Sequence, residues 1–412
     1  MIDPKPLGLR RSFGFGDRLG LATPGHIAAV RGSTFTPIFA QQSIREMQRT
    51  DRTPLEVMRC ARDAITAADY DGEWGADADH LQTPDDIVEV ASTGFCFFTI
   101  DPSNHVDCEA DDLPGDQLEG RIAAMGDAIT PGQAEDLYLG KTIELGGDIA
   151  LTFDDVDALR RAVVKYGAAL HHATVMATAI ESAMAGEPFE LELSVDETDT
   201  PTTPVEHLFI GLELRRLGVS VISLAPRFVG DFEKGIDYRG DHAEFEAHYR
   251  VHAAIARHCG PYKLSIHSGS DKFGVYPIMG RISGEHLHVK TAGTSYLEAL
   301  RVVCRTEPDL FREIVAFSRG RFETDRATYH ISGRLDDVPA EPTATQWERA
   351  YLDEDAGRQI LHVTYGSVLT SGKSQGGTPF KERILGALNT HEGLHCELVA
   401  EHLGRHIELL ES

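Results

Sequence analysis

Phe189-Glu190-Leu191-Glu192-Leu193-Ser194-Val195 reads as a strand, and Thr203-Pro204-Val205-Glu206 shortly after it opens a helix. Thr203 and Glu206 have the spacing of a capping box, with Pro204 at the first helical position. Leu208, Leu212 and Leu217 follow, and Gly218 stands where a helix would end. The same alternation recurs along the chain. Further candidate strands are Thr34–Ala40, Gly75–His80, Gly94–Asp101, Val219–Leu224, Tyr262–His267, Leu287–Thr291 and Leu361–Gly366. Asp241 with Glu244 opens a helix that Gly260-Pro261 closes, Ser295 with Glu298 opens another, and Asp155–Met184 is the longest helical pattern. Strand and helix in alternation predict a parallel sheet. Eight strands favour an α/β fold of the (β/α)8 TIM-like barrel type over an open doubly wound sheet. Residues 1–412 read as one barrel domain, with the acidic, turn-rich segment 107–147 as an elaborated inserted loop. C-terminal helices begin at Pro379, with Leu385, Leu388, Leu394, Leu398 and Leu403 on one face.

The 412 residues include 65 acidic and 39 basic ones, for a formal charge of −26. That field argues against nucleic acid or an anionic membrane as partner, since either needs a basic face. An anionic substrate would be repelled as well, so its site must hold its own Arg, Lys or metal. No apolar run approaches the roughly eighteen residues of a membrane span. Met1-Ile2-Asp3-Pro4-Lys5 lacks the pattern of a secretory signal. Cys60, Cys96, Cys108, Cys259, Cys304 and Cys396 are scattered, with no CxxC pair, which suits reduced thiols and a cytoplasmic location.

Polar residues gather at the C-terminal ends of the candidate strands, where barrel enzymes carry their chemistry. Asp77, Asp79 and His80 end one; Asp101 ends another; Glu190 and Glu192 precede Asp196 and Glu197. Lys263, Ser265 and His267 share a face, with Asp271 and Lys272 beyond, and His286, His288 and Lys290 share another. Charges at strand positions are costly to bury unless paired, metal-bound or solvated. His80, His267 and His288, from three strand ends with carboxylates nearby, predict a divalent-metal site; zinc, nickel, manganese, iron and cobalt all suit such ligands.

Blander readings stand beside these. Any one histidine can be a hydrogen-bonded structural residue, and Glu190 and Glu192 could face solvent on an edge strand. His391, His395, His402 and His406 have i, i+4 spacings without the glutamate of HExxH, and read as a solvated helix face. Gly14-Phe15-Gly16-Asp17-Arg18-Leu19-Gly20 imitates a dinucleotide fingerprint, but its last glycine is one residue late and no strand precedes it. His267-Ser268-Gly269-Ser270 lacks the nucleophile-elbow context; its glycine fits close approach of backbone amides to an anionic ligand.

Seven stretches together, Phe13–Gly20, Gly75–Leu81, Phe98–Ser103, Ser194–Thr198, Ala225–Gly230, Ser265–Phe273 and His288–Ser295, resemble the tagaturonate epimerase family of hexuronate catabolism. The resemblance implies a divalent-metal enzyme that epimerises D-fructuronate and D-tagaturonate, a small ketohexuronate substrate. These two sugars differ at a carbinol carbon one bond beyond the reach of ketone acidification. Retro-aldol cleavage, rotation of the aldehyde and re-addition is then the route that needs no nicotinamide, with a metal as Lewis acid. Residue roles rest on strand-end position. His80, His267 and His288 are assigned to the metal, and Asp79 and Glu197 to acid–base transfer, with Glu190 and Glu192 next. Arg227, Asp271, Lys272 and Lys290 are assigned to substrate binding, Arg being suited to bidentate capture. A metal-dependent aldolase of a related sugar acid would use the same site and release the fragments; a non-catalytic sugar-acid sensor is the other alternative.

Overall fold

The chain builds ten strands: β1 Ser12–Gly16, β2 Thr36–Ser43, β3 Gly75–Leu81, β4 Phe97–Ile100, β5 Thr142–Gly146, β6 Ile149–Thr152, β7 Glu190–Val195, β8 Ser223–Pro226, β9 Lys263–Ile266 and β10 Leu287–Thr291. The structure is a computed structural model and describes residues 3–124 and 129–412. Eight strands close into a parallel barrel in the order β1-β10-β9-β8-β7-β4-β3-β2, and β5 and β6 form a separate antiparallel hairpin. The fold is the (β/α)8 barrel that the alternating pattern predicts. The Thr203–Glu206 capping box forms, the helix Pro204–Leu217 runs from it, and Gly218 ends that helix at φ 74°.

Two strand assignments change. Leu361–Gly366 is helical, split between Asp355–Val363 and Tyr365–Thr370. Leu361, Tyr365 and Val368 are buried at spacings of four and three, a helical period that a short apolar run conceals. The eighth barrel strand is instead β1, the glycine-rich stretch set aside for want of a preceding strand. Its glycines admit neighbours. A Cβ on Gly14 would lie 1.8 Å from Gln41 Oε1, and one on Gly16 would lie 2.6 Å from the Thr291 carbonyl oxygen. Glu190 and Glu192 do not face solvent on an edge: β7 sits between β4 and β8, and both side chains are buried.

The segment 107–147 carries two helices, Gly115–Ala124 and Pro131–Tyr138, and strand β5; residues 125–128 of it lie outside the described residues. A second apolar cluster, with Tyr296, Phe311, Leu361 and Ile384, joins the helices after β10. The last helix, Glu392–Glu411, returns to the barrel and buries His395 and His406, which removes the solvated-face reading of those histidines. Gly280 lets it dock, since a Cβ there would lie 1.9 Å from the Leu410 carbonyl oxygen. Gly280→Ala is expected to lower stability by about 1–3 kcal/mol through overpacking, read as a reduced midpoint in urea unfolding. The described cysteines are free thiols. Among the described residues no helix is long and apolar enough to cross a membrane.

Candidate active site

The floor of the barrel mouth is a charge-paired plug. Lys290 Nζ, from β10, lies 2.8 Å from Asp77 Oδ2 and 2.7 Å from Asp79 Oδ1 on β3, and 2.8 Å from Glu192 Oε1 on β7. It also donates to Thr99 Oγ1 at 2.6 Å, and that hydroxyl donates to Asp77 Oδ1 at 2.9 Å. All five residues are buried. Burial opposes the ammonium charge, but the three carboxylates outweigh it and hold Lys290 protonated well above the usual lysine range.

His80 and His267 sit above this plug with ring centroids 5.0 Å apart. His80 Nδ1 is 3.2 Å from Asp101 Oδ2 beyond β4, and its Nε2 is 3.8 Å from Asp79 Oδ1. His267 follows β9; its Nε2 is 2.7 Å from Glu192 Oε1 and its Nδ1 is 3.3 Å from Asp196 Oδ1. Burial disfavours both imidazolium ions, yet the carboxylates prevail. Asp79 and Asp101 raise His80 to about 10, and Asp196 with Glu192 raises His267 to about 9. Asp79 moves the other way: against its burial, Lys290, His80 and His267 bring it down to about 2. His80 and Ser268 have φ of 53° and 52°, left-handed conformations that non-glycine residues hold only when their surroundings impose them.

By donor type these residues suit a divalent cation, which would replace the protons now shared between the imidazoles and their carboxylates. Two imidazoles within a shell of Asp79, Asp196 and Glu192 are a mixed nitrogen and oxygen donor set. Asp101 behind His80 Nδ1 is the partner that fixes a ligating imidazole in one tautomer. The negative field that raises both imidazoles is one a dication would neutralise.

The third imidazole is elsewhere. His288 lies two residues before Lys290 on β10, and its Nδ1 is 2.9 Å from Ser12 Oγ. Its ring packs 5.5 Å from that of Phe97, and burial pushes it down to about 3. The mouth is lined by His80 and His267 but not by His288.

Above the plug a small inner recess of about 70 Å³ leads into an outer chamber of about 460 Å³, the latter within the range of roughly 300–1,000 Å³ usual for small-molecule sites. Asp79 and Lys290 line the inner part, Arg227 lines the outer part, and Glu197 reaches both. Glu197 is 37% exposed and pairs with Arg45 Nη2 at 3.0 Å. Asp271 and Lys272 line neither part. Lys272 Nζ donates to the carbonyls of Glu233, Ile236 and Ser270, a wholly internal arrangement. Asp271 binds Arg358 Nη2 at 2.8 Å and His402 Nε2 at 2.6 Å. Asp271, His402 and His406 offer ligand atoms within 4.8 Å of one another, a second place for an ion. However, His406 Nε2 accepts from the Asp271 amide at 2.9 Å and its Nδ1 donates to the His402 carbonyl at 2.8 Å, leaving no lone pair.

Several lining residues carried no role in the sequence reading: Arg18, Arg45, Asp196, Lys234, His362 and Tyr365. Asp196 and Lys234 lie on the segments after β7 and β8, so their positions past a strand end were readable. Arg18 follows β1, whose glycines conceal a strand in the sequence. His362 and Tyr365 come from the helices Asp355–Val363 and Tyr365–Thr370, whose apolar run also has the length of a strand.

The sequence matches the tagaturonate epimerase family over residues 1–410. The tagaturonate/fructuronate epimerase of Thermotoga maritima is 44% identical over 411 residues, which is 100% of this chain and 82% of that protein. The crystal structure of fructuronate-tagaturonate epimerase UxaE from Cohnella laeviribosi superposes with a TM-score of 0.93 at 38% identity, covering 99% of this chain and 83% of that one. A probable tagatose 6 phosphate kinase from Sinorhizobium meliloti 1021, at 12% identity and a TM-score of 0.51 over 98% of this chain and 100% of its own, shares the fold alone. The chain belongs to the tagaturonate epimerase family and is an isomerase.

Proposed function

We propose that this enzyme interconverts D-fructuronate and D-tagaturonate by carbon–carbon cleavage and re-formation, with a divalent cation held at His80 and His267. What carries the reading is the pair of imidazoles 5.0 Å apart inside a carboxylate shell at the barrel mouth, in a tagaturonate epimerase family member. Asp196 and Glu192 stand beside His267 as oxygen donors, and His288 lies below the pair. A bound divalent cation would supply Lewis-acid stabilisation of the negative charge that develops at the ketone end.

The two sugars differ at C4, whose hydrogen a C2 ketone does not acidify. Cleavage of C3–C4 solves this. Asp79 or Glu197 takes the C4 hydroxyl proton, C4 becomes an aldehyde, and the C3–C4 electron pair passes into the enediolate of C2 and C3. After the aldehyde turns its other face, C3 adds back, and the proton taken by the first carboxylate is relayed through the other to the new C4 alkoxide, so that both end ionised as they began. Asp79 on β3 and Glu197 past β7 approach from different strand ends, as transfer on two faces requires. Lys290 keeps Asp79 ionised and in place.

Metal-loaded protein incubated with D-fructuronate and, separately, D-fructose, with products resolved by NMR, tests the reading. Appearance of tagaturonate is expected; accumulation of three-carbon fragments would instead mark an aldolase. In deuterium oxide the tagaturonate should carry no deuterium at C4, because that hydrogen stays on the aldehyde carbon throughout. Stoichiometric deuterium at C4 would show proton abstraction from carbon and overturn the cleavage route.

A further inference from the structure

The mouth contains an imidazole that nothing in the proposed chemistry uses. His362, on the helix Asp355–Val363, is 2% exposed and lines the inner chamber. Its Nδ1 is buried without a partner, and neither ring nitrogen is hydrogen-bonded to any described residue. Two glycines from strand-end loops make room for the ring. A Cβ on Gly293 would come 1.9 Å from His362 Cε1, and one on Gly235 would come 3.3 Å from Nδ1. Gly293 is also the N-cap of the helix Thr294–Thr306, which has no side-chain cap, so partial positive charge from its free amides falls on the same side of the chamber.

Next to this ring stands Lys234, which lines the inner and outer parts of the chamber. Its Nζ donates to Ser268 Oγ and meets no carboxylate among the described residues. The other inner cations each face a carboxylate, although Arg18 Nη1 has no hydrogen-bond partner. Arg18 pairs with Glu46 at 2.7 Å, Arg45 with Glu197 at 3.0 Å, and Lys290 with its three carboxylates. The chamber therefore carries Asp79, Asp196 and Glu197 around His80 and His267, and one cation without a carboxylate, Lys234, beside the uncharged His362.

We propose that Lys234 and His362 form the subsite for the carboxylate of the hexuronate, His362 donating an N–H and Lys234 supplying the charge. This rests on the hexuronate reading above and deepens it. Burial and the nearby Arg18, Lys234 and Arg358 keep His362 neutral, so it presents one donor and one acceptor rather than a second cation. A carboxylate accepts from both groups at once and is repelled from the acidic side. The opposite pole would then receive the ketone end, which sets the direction in which the sugar lies. A neutral ketose would leave Lys234 and His362 unanswered, so the same pair discriminates uronates from ordinary ketoses.

The test uses the full-length, metal-loaded enzyme, with D-fructuronate binding followed by calorimetry, turnover by NMR and metal content by elemental analysis. Lys234→Met and His362→Leu should each weaken hexuronate binding about 10- to 100-fold, the usual effect of losing a hydrogen bond to a charged group. Metal content and melting temperature should stay as in the parent. Lys234→Arg should bind within about fivefold, on the same scale. If His362→Leu melts early, Lys234→Met decides alone. An epimerising parent whose Lys234→Met variant binds within threefold would overturn the subsite and leave the reaction standing. A parent that binds hexuronate without forming the epimer, with binding lost in both variants, would overturn the reaction and support the subsite.

Discussion

His267→Ala and His80→Ala are expected to lose the bound metal and to reduce epimerisation to background while remaining folded. Both imidazoles face the mouth, and each has a carboxylate on one nitrogen to hold its orientation. Asp101→Asn should give a partial loss, about 10- to 100-fold in metal affinity or turnover, because it only orients the His80 ring. His288→Gln should keep its metal, since His288 bonds to Ser12 below the chamber. Elemental analysis and NMR turnover assays on these four variants separate a two-imidazole site from the three-imidazole one that strand ends alone suggest. Metal retained by His267→Ala but lost from His288→Gln would overturn the site as drawn.

Lys290→Met should be the most destabilising single change at the site, by roughly 3–5 kcal/mol, because it strands Asp77, Asp79 and Glu192 together without a cation. The pH dependence has a definite sign. In the parent the folded lysine value is raised, so its contribution is fully present below the unfolded value of about 10.4 and is lost only as pH rises through the folded one. In the variant the three carboxylates repel one another and hold protons more tightly. Acid neutralises them, so the gap in stability between variant and parent should narrow as pH falls from about 8 to about 5. Urea unfolding at several pH values measures this; a gap that widens in acid would mean the plug is not held by charge. Turnover should disappear as well, since Asp79 loses the partner that keeps it ionised.

Most of the barrel was legible because helix caps, turn residues and apolar runs fall in regular alternation, as at Glu190–Val195 and Pro204–Leu217. The two differences in strand assignment have separate physical sources. A short apolar run fits a buried strand or a buried helix equally well, which is why Leu361–Gly366 was misread. The strand Ser12–Gly16 was hidden because two of its five residues are glycines, present for close approach to β2 and β10 and not for strand propensity. At the site, strand-end position located Asp79, His80, His267, Glu197 and Lys290 at the mouth. Position along a strand does not give depth, so His288 and Lys290, two residues apart, looked equivalent. Nor does it tell a cation facing solvent from one held inside, as Lys272 is by three backbone carbonyls. Lys234 and His362 come from a loop and a helix that cover the mouth, and only tertiary packing brings them there.

The contacts of Asp271 have a consequence for how the enzyme wears out. This carboxylate sits four residues beyond His267 and grips Arg358 from the covering helices and His402 from the last helix, while His406 takes the Asp271 amide. The loop that aims His267 is thus moored to the final turns of the chain and not only to its own strand. Detachment of Glu392–Glu411 would slacken the His267 loop while the ring of strands is still closed, so activity would fade before the fold does.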